Sequence, residues 1–206
     1  HVGLFARSDI EAWSLAGAVS YATQDIGYTR YIRGTNSVDM ASADTDSFGW
    51  TLKTEAFYDI NAASAYAFGP VLTFDALTAE YKAFTETGAG ILNLTYTGEE
   101  ATQTVLGFGG QGRFDGEFAG WAMDTGIRVV WESLSGDRDV SATAFFDGLE
   151  GFVASNSAQL DADRVALGFD TRLSISDGVI AHIRYDGTSG DKLTDHAGWA
   201  GITIAF

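Results

Sequence analysis

The chain has no cysteine and one proline in 206 residues. The missing thiols exclude a disulfide framework and any thiolate metal site, and say little about compartment. No run approaches the roughly 18 apolar residues that a membrane-spanning helix needs. Basic residues are scarce, 12 against 28 acidic ones, and the net charge is −16. No basic stripe is available to neutralise phosphates, which argues against nucleic acid as a partner. No glycine-rich phosphate loop followed by lysine occurs, so no nucleotide cofactor is expected.

What the chain has instead is alternation. Apolar residues make up 46% and glycine contributes 25 positions, a composition able to build a core. In "FAGWAMDTGIRVVWE", Trp121, Met123, Ile127, Val129 and Trp131 share one face, and Asp124, Arg128 and Glu132 share the other. That period of two marks a strand with one apolar and one polar side. "DRVALGFDTRLSI" sets Val165, Leu167, Phe169 and Leu173 against Asp170 and Arg172. "GVIAHIRYD" sets Val179, Ala181, Ile183 and Tyr185 against His182, Arg184 and Asp186, and "FGWTLKTEAFY" sets Trp50, Leu52 and Tyr58 against Lys53 and Glu55.

About eleven such strands are expected, over 2–8, 12–32, 48–59, 64–81, 87–97, 101–113, 118–133, 138–147, 163–175, 178–187 and 194–206. Many reach the roughly 9–11 residues that a tilted strand needs to cross a bilayer, against about 5–6 for soluble strands. The connections alternate between short ("DIEA", "INAAS", "SISDG") and long, often acidic ones, with "FDGE" as the exception at a place where a long loop is due. Short turns at one end and longer loops at the other describe an outer-membrane barrel. A soluble β-sandwich also alternates. Strand length and aromatic residues near the strand ends (Trp121 and Trp131, Trp50 and Tyr58) favour the barrel, with apolar residues toward lipid and polar ones toward the lumen.

The stretch "AFGPVLTFDAL", followed by "YKAFTETGAGILNLTY", resembles the autotransporter β-domain of Gram-negative type V secretion, through Gly69, Pro70, Phe84, Glu86, Gly88 and the Leu92–Leu94 alternation. "EAWSLAGAVSYATQDIGYTRYI", with its alternation leading to Arg30, looks like the family's early hairpin strand. Gly201, Ile204 and Phe206 resemble the C-terminal signal read by the barrel assembly machinery, although Trp199 stands where the family usually has a polar residue. The resemblance implies an all-β, antiparallel, up-and-down transmembrane barrel of twelve strands with a helix in its lumen. It implies an outer-membrane location, an N-terminal passenger covalently attached, and a monomer. With about eleven strands found and no helix, residues 1–206 are expected to be one N-terminally truncated translocator domain lacking the linker helix and at least one strand.

For chemistry, the expectation is no enzyme, no cofactor and no metal. A hydrolase would need His182 within reach of a serine and an acid, and Ser174 and Asp170 on the neighbouring strand are the candidates. Asp39, Asp44 and Asp46 form an acidic loop without the ordered ligand spacing of a calcium site. The polar faces carry Lys53, Glu55, Asp124, Arg128, Glu132, Asp170, Arg172, His182, Arg184 and Asp186, expected to line the lumen. These charges either pair across the wall, bracing it and docking a helix, or line a water-filled pore. A small porin or adhesin-type barrel without a passenger is the alternative function.

Overall fold

The computed structural model describes residues 1–34, 38–61, 66–147 and 153–205. It contains β1 (Val2–Ile10), β2 (Trp13–Arg33), β3 (Val38–Tyr58), β4 (Tyr66–Tyr81), β5 (Phe84–Thr85), β6 (Leu94–Tyr96), β7 (Glu99–Phe118), β8 (Trp121–Gly136), β9 (Asp139–Phe146), β10 (Val153–Gln159), β11 (Asp163–Ser176), β12 (Val179–Gly190) and β13 (Thr194–Ile204). A single 3₁₀ turn covers Gly90–Leu92. Nine strands form one antiparallel sheet in the order β1-β2-β3-β4-β7-β8-β11-β12-β13, and a smaller sheet has the order β10-β9-β6-β5.

The small sheet is the outward continuation of four wall strands. Tyr81 pairs with Glu99, and three residues further along each strand Phe84 pairs with Tyr96, so β4–β5 and β6–β7 form one long interrupted hairpin in a single register. The β7–β8 ladder ends at Gln103 and Gly136, and Tyr96 then pairs with Ala144, one residue out of step. That shift is a bulge at the start of β9. The expectation of eleven separate strands is therefore corrected to nine wall strands, four of which continue across a break into the small sheet. The stretch 87–97 is largely a hairpin tip, and 138–147 extends 118–133.

The recount removes the irregular loop. "FDGE" lies inside β7, and the real connection is the two-residue turn Ala119–Gly120, where φ is 55° and 83°. Positive φ at both positions is the hairpin geometry that matches strand twist. This turn falls at the same end as Glu11–Ala12 and Asp177–Gly178. The far end carries Arg33 and Val38 at the ends of β2 and β3, the β5–β6 tip and residues 191–193.

Register assigns the faces. On the outer side, Trp13 and Tyr58 touch near the turn end with ring centroids 4.9 Å apart, and Tyr66 stacks on Phe114 at 5.0 Å. Tyr21 and Trp50 are paired eight residues further along β2 and β3. Eight steps of about 3.4 Å, reduced by a strand tilt of roughly 40°, give about 20 Å between the two aromatic rows, close to the apolar band of an outer-membrane barrel. Between the rows Leu72, Ile127 and Val129 are exposed. A sandwich would cover this face with a second sheet, and among the described residues nothing covers it.

The inner side is concave and holds the core. Phe57, Val71 and Val130 are buried against each other there, with Ala67 beside them. Pro70 lies just beyond the last β3–β4 pair, Phe57 with Val71, so its missing N–H removes no bond from that ladder. Among the described residues β1 pairs only with β2 and β13 only with β12.

Candidate functional site

Two polar constellations occupy the inner face. The first lies along the wall. Arg128 of β8 donates to Glu55 of β3, although β4 and β7 stand between them. Three strand spacings of about 4.8 Å separate the two along the sheet, so the pair forms only because the sheet is strongly curved. In register Glu55 leads through Thr73 and Gly107 to Glu132, four residues along β8 from Arg128, so the pair runs diagonally across the concavity; a Cβ at Gly107 would clash with the Thr73 hydroxyl and sit 2.8 Å from Val130.

The other wall charges pair locally. Arg164 donates to its direct cross-strand partner Glu132 at 2.7 Å. Lys53 stands opposite Asp75 at 3.8 Å, and Arg113 is 3.8 Å from Asp124. Arg184 grips Asp186 on its own strand with two bonds of 2.6 and 3.1 Å. Most of these groups are a third or more exposed, so each pair contributes at most about 1 kcal/mol. The expected charges thus resolve into separate pairs, and their partners Asp75, Arg113 and Arg164 emerge only from the cross-strand register. Asp170 and Arg172 enter no ion pair among the described residues.

His182 does not meet Ser174. It stands opposite Arg172, its ring lies edge-on to Trp199 at 4.3 Å, and its Nε2 would be 2.3 Å from a Cβ at Gly201. Gly201 and Trp199 thus form the seat for His182. No hydrogen bond joins His182 to Ser174 or Asp170 among the described residues, so a hydrolase arrangement is not assembled. The acidic "loop" is also corrected: Asp39, Asp44 and Asp46 lie within the 21-residue strand β3. Alternation puts Asp39 on the opposite face from the other two, and Asp46 accepts a bond from Lys82 at 2.8 Å. Ile204 is on the outer face, whereas Phe206 lies outside the described residues.

The second constellation is at the loop end. Glu86, at the outer end of the β4–β5 line, is only 1% exposed. Arg30 of β2 holds it with a fork, Nε to Oε1 at 3.0 Å and Nη2 to Oε2 at 2.5 Å. Arg30 Nη2 also donates to the Leu92 carbonyl at 2.8 Å, and the Leu94 amide donates to Glu86 Oε2 at 2.8 Å. The Arg30 bonds therefore tie β2 to both limbs of the hairpin tip, and the Leu94 amide ties the limbs to each other. Arg30 can cross β3 because the residue opposite it is Ala41, fully buried beneath the crossing. Tyr28 stands opposite Ala43 and reaches Phe84 and Tyr96, which stack on each other at 4.4 Å. Gly88 turns the tip with φ +105°, passing so close to β3 that a Cβ would be 2.5 Å from the Met40 carbonyl.

Burial pushes the Glu86 carboxyl up, but the Arg30 fork and the Leu94 amide outweigh it and hold the group below its ordinary value. Tyr96 is pushed up to about 12 by burial and by its contact with Tyr28. The five family-motif positions thus separate by role. Phe84, Glu86 and Gly88 build this cluster, while Gly69 and Pro70 sit where β4 passes close to β3 at the opposite end, with a Cβ at Gly69 meeting the Tyr58 carbonyl. A smaller clamp lies nearby: the carboxylate of Asp161, which the alternation did not single out, accepts the amides of Lys192 and Leu193, each at 2.9 Å.

Long antiparallel strands, an uncovered apolar belt bounded by aromatic rows, and a charged concave side define a membrane wall of the outer-membrane β-barrel class. The family model for the autotransporter β-domain matches residues 1–186. The chain belongs to this family of outer-membrane translocators in type V secretion, which is not a catalytic family. Gly201, Ile204 and Phe206 lie beyond the matched residues. No curated protein matches the chain.

Proposed function

We propose that the nine strands are part of a monomeric outer-membrane barrel that anchors an N-terminal passenger and mediates its passage to the cell surface. The observation that supports this most is the two-sided wall, apolar and uncovered outside, paired and charged inside. Its concave side offers charges to a polypeptide segment or to water. β1 and β13 run in the same direction, so an antiparallel closure needs an odd number of further strands. Three would make the twelve that the family resemblance implies, and a linker helix would continue from them toward the passenger.

The test uses the full-length protein in intact cells. Protease added outside is expected to remove an N-terminal portion and leave a membrane fragment containing residues 1–206, whose folded form migrates differently on a detergent gel before and after boiling. A protected N-terminus, or none beyond a signal segment and additional strands, would favour the porin reading.

Assembly supplies a second prediction. Gly201, Ile204 and Phe206 are proposed to be read by the barrel assembly machinery. Phe206→Asp is expected to lower the amount of folded barrel in the outer membrane at least ~10-fold, because a charge at an apolar terminal anchor opposes insertion. Normal surface yield of that variant would sink this assignment.

A further inference from the structure

The cluster around Glu86 joins two parts of the molecule separated by a break in the sheet. Below the break are the wall strands, and beyond it is the four-stranded extension of β5, β6, β9 and β10. The interruptions align across neighbouring strands, at residues 82–83, 97–98, 137–138 and 160–162. Gly98 lies on this line, where an added Cβ would stand 3.0 Å from the Ala83 amide and the Tyr81 carbonyl, and Gly136 borders it with φ +94°. β2 and β3 run on without interruption past the same level. One side of the loop end is therefore stiff and the other is segmented.

The extension is held to the stiff side at a few positions. Along the backbone these are the paired bridge of Ser42 with Thr87, at 2.9 and 2.8 Å, and the Lys82 amide to the Asp46 carbonyl at 3.1 Å. Through side chains they are the Arg30 bonds to Glu86 and to the Leu92 carbonyl, the Thr87 hydroxyl to the Ser42 carbonyl at 3.3 Å, and, at the line of breaks, the Thr45 hydroxyl to the Lys82 carbonyl at 3.1 Å and Lys82 Nζ to Asp46 at 2.8 Å. Tyr28 packs on Phe84 and Tyr96. The side chains of Arg30, Glu86, Tyr28, Phe84 and Tyr96 are on the inner face. They fill the concavity at the loop end, where the wall below holds water-exposed ion pairs. A buried carboxylate that the core does not require is retained there, and its partner comes from two strands away.

We propose that the tip of the β5–β6 hairpin is a latched flap over the loop-end mouth of the wall. The line of breaks is its hinge, and the Arg30–Glu86 fork is its latch. Closed, the flap fills the β2–β3 side of the mouth with Tyr28, Phe84 and Tyr96. When the fork is broken, the half-buried arginine and the buried carboxylate each gain water, and the tip swings away from β3 about residues 82–83 and 97–98. Glu86 is thus a positioning residue for the mouth. This rests on the reading of the wall as a membrane barrel, which the gel-migration and protease experiments test separately.

The experiment uses the full-length protein. Glu86→Gln keeps the shape of the side chain and removes its charge. It is expected to raise hydrogen exchange at the amides of residues 86–94 at least ~10-fold while leaving β2 residues 13–21 unchanged, the mark of local opening. In planar bilayers the same variant is expected to open more often or to a higher conductance. The chain has no native cysteine, so Ser42→Cys with Thr87→Cys introduces a single pair at directly opposed positions, a spacing a disulfide can close. Oxidation of that pair in the Glu86→Gln background is expected to restore wild-type exchange and conductance, and reduction to undo it. Unchanged exchange in Glu86→Gln overturns the latch. Faster exchange with conductance that neither variant alters overturns its role at the mouth.

Discussion

Replacing Glu86 by alanine is expected to destabilise the loop end of this protein by roughly 2–4 kcal/mol. Breaking a fully buried ion pair costs about 3–5 kcal/mol, because the surviving charge is left without a partner, and Arg30 keeps about a quarter of its side-chain surface in contact with water. The loss also orphans the Leu94 amide and leaves the Leu92 carbonyl with a guanidinium that has no anchor. Arg30→Met should be as damaging, since it strands a carboxylate that is almost wholly buried. The double variant Arg30→Met with Glu86→Leu should recover much of the loss, because neither buried charge then remains. Protease susceptibility near residues 82–98 and urea unfolding of the detergent-solubilised protein would measure all three. Strict additivity of the two single changes would show that the groups do not act as a pair.

The same pair sets an acid limit. The folded carboxyl of Glu86 is held below its ordinary value, so its contribution is complete above the ordinary carboxylate range and is lost as pH falls through the lowered folded value. The groups facing it are Arg30, which stays charged, and Tyr28 and Tyr96. Tyr96 does not titrate until about 12, so the acid transition at the tip belongs to Glu86. Exchange at residues 86–94 should therefore accelerate only at pH below the usual carboxylate range, and Glu86→Gln should abolish that dependence.

The second large effect concerns the opposite face. Ile127 lies on the outer side of β8, midway between Trp121 and Trp131, and is more than half exposed. Ile127→Arg is expected to destabilise the inserted barrel by about 2–4 kcal/mol, the cost of a cation near the bilayer midplane. Ala18 lies at a comparable depth on the inner side of β2, opposite Lys53. Ala18→Glu should change stability by only about 0.5 kcal/mol, since the new carboxylate faces water and an amine. Reversible unfolding from lipid vesicles compares the two. Equal costs would mean that the faces have been assigned the wrong way round.

Alternation alone determined that this protein is built of two-sided strands and which residues share a face of each. Trp121, Ile127 and Trp131 on one face, with Asp124, Arg128 and Glu132 on the other, follow from the two-residue repeat of an extended chain, a local property that needs no knowledge of neighbours. The resemblance around Glu86 already pointed to a special hairpin, whereas the local reading of connections misplaced a turn at "FDGE", which lies inside β7. Three things were decided only by tertiary structure. The number of strands was one, because a bulge or a break interrupts the pattern just as a turn does, and only cross-strand register shows that β9 continues β8. The face that meets the core was another: alternation is the same in a sandwich and in a membrane wall, and only the absence of a covering sheet separates them. The last was which charges meet. Glu55 and Arg128 are joined by curvature, and Arg30 and Glu86 by a crossing over Ala41. Both pairs are distant in sequence and come together only through the curvature and register of the sheet.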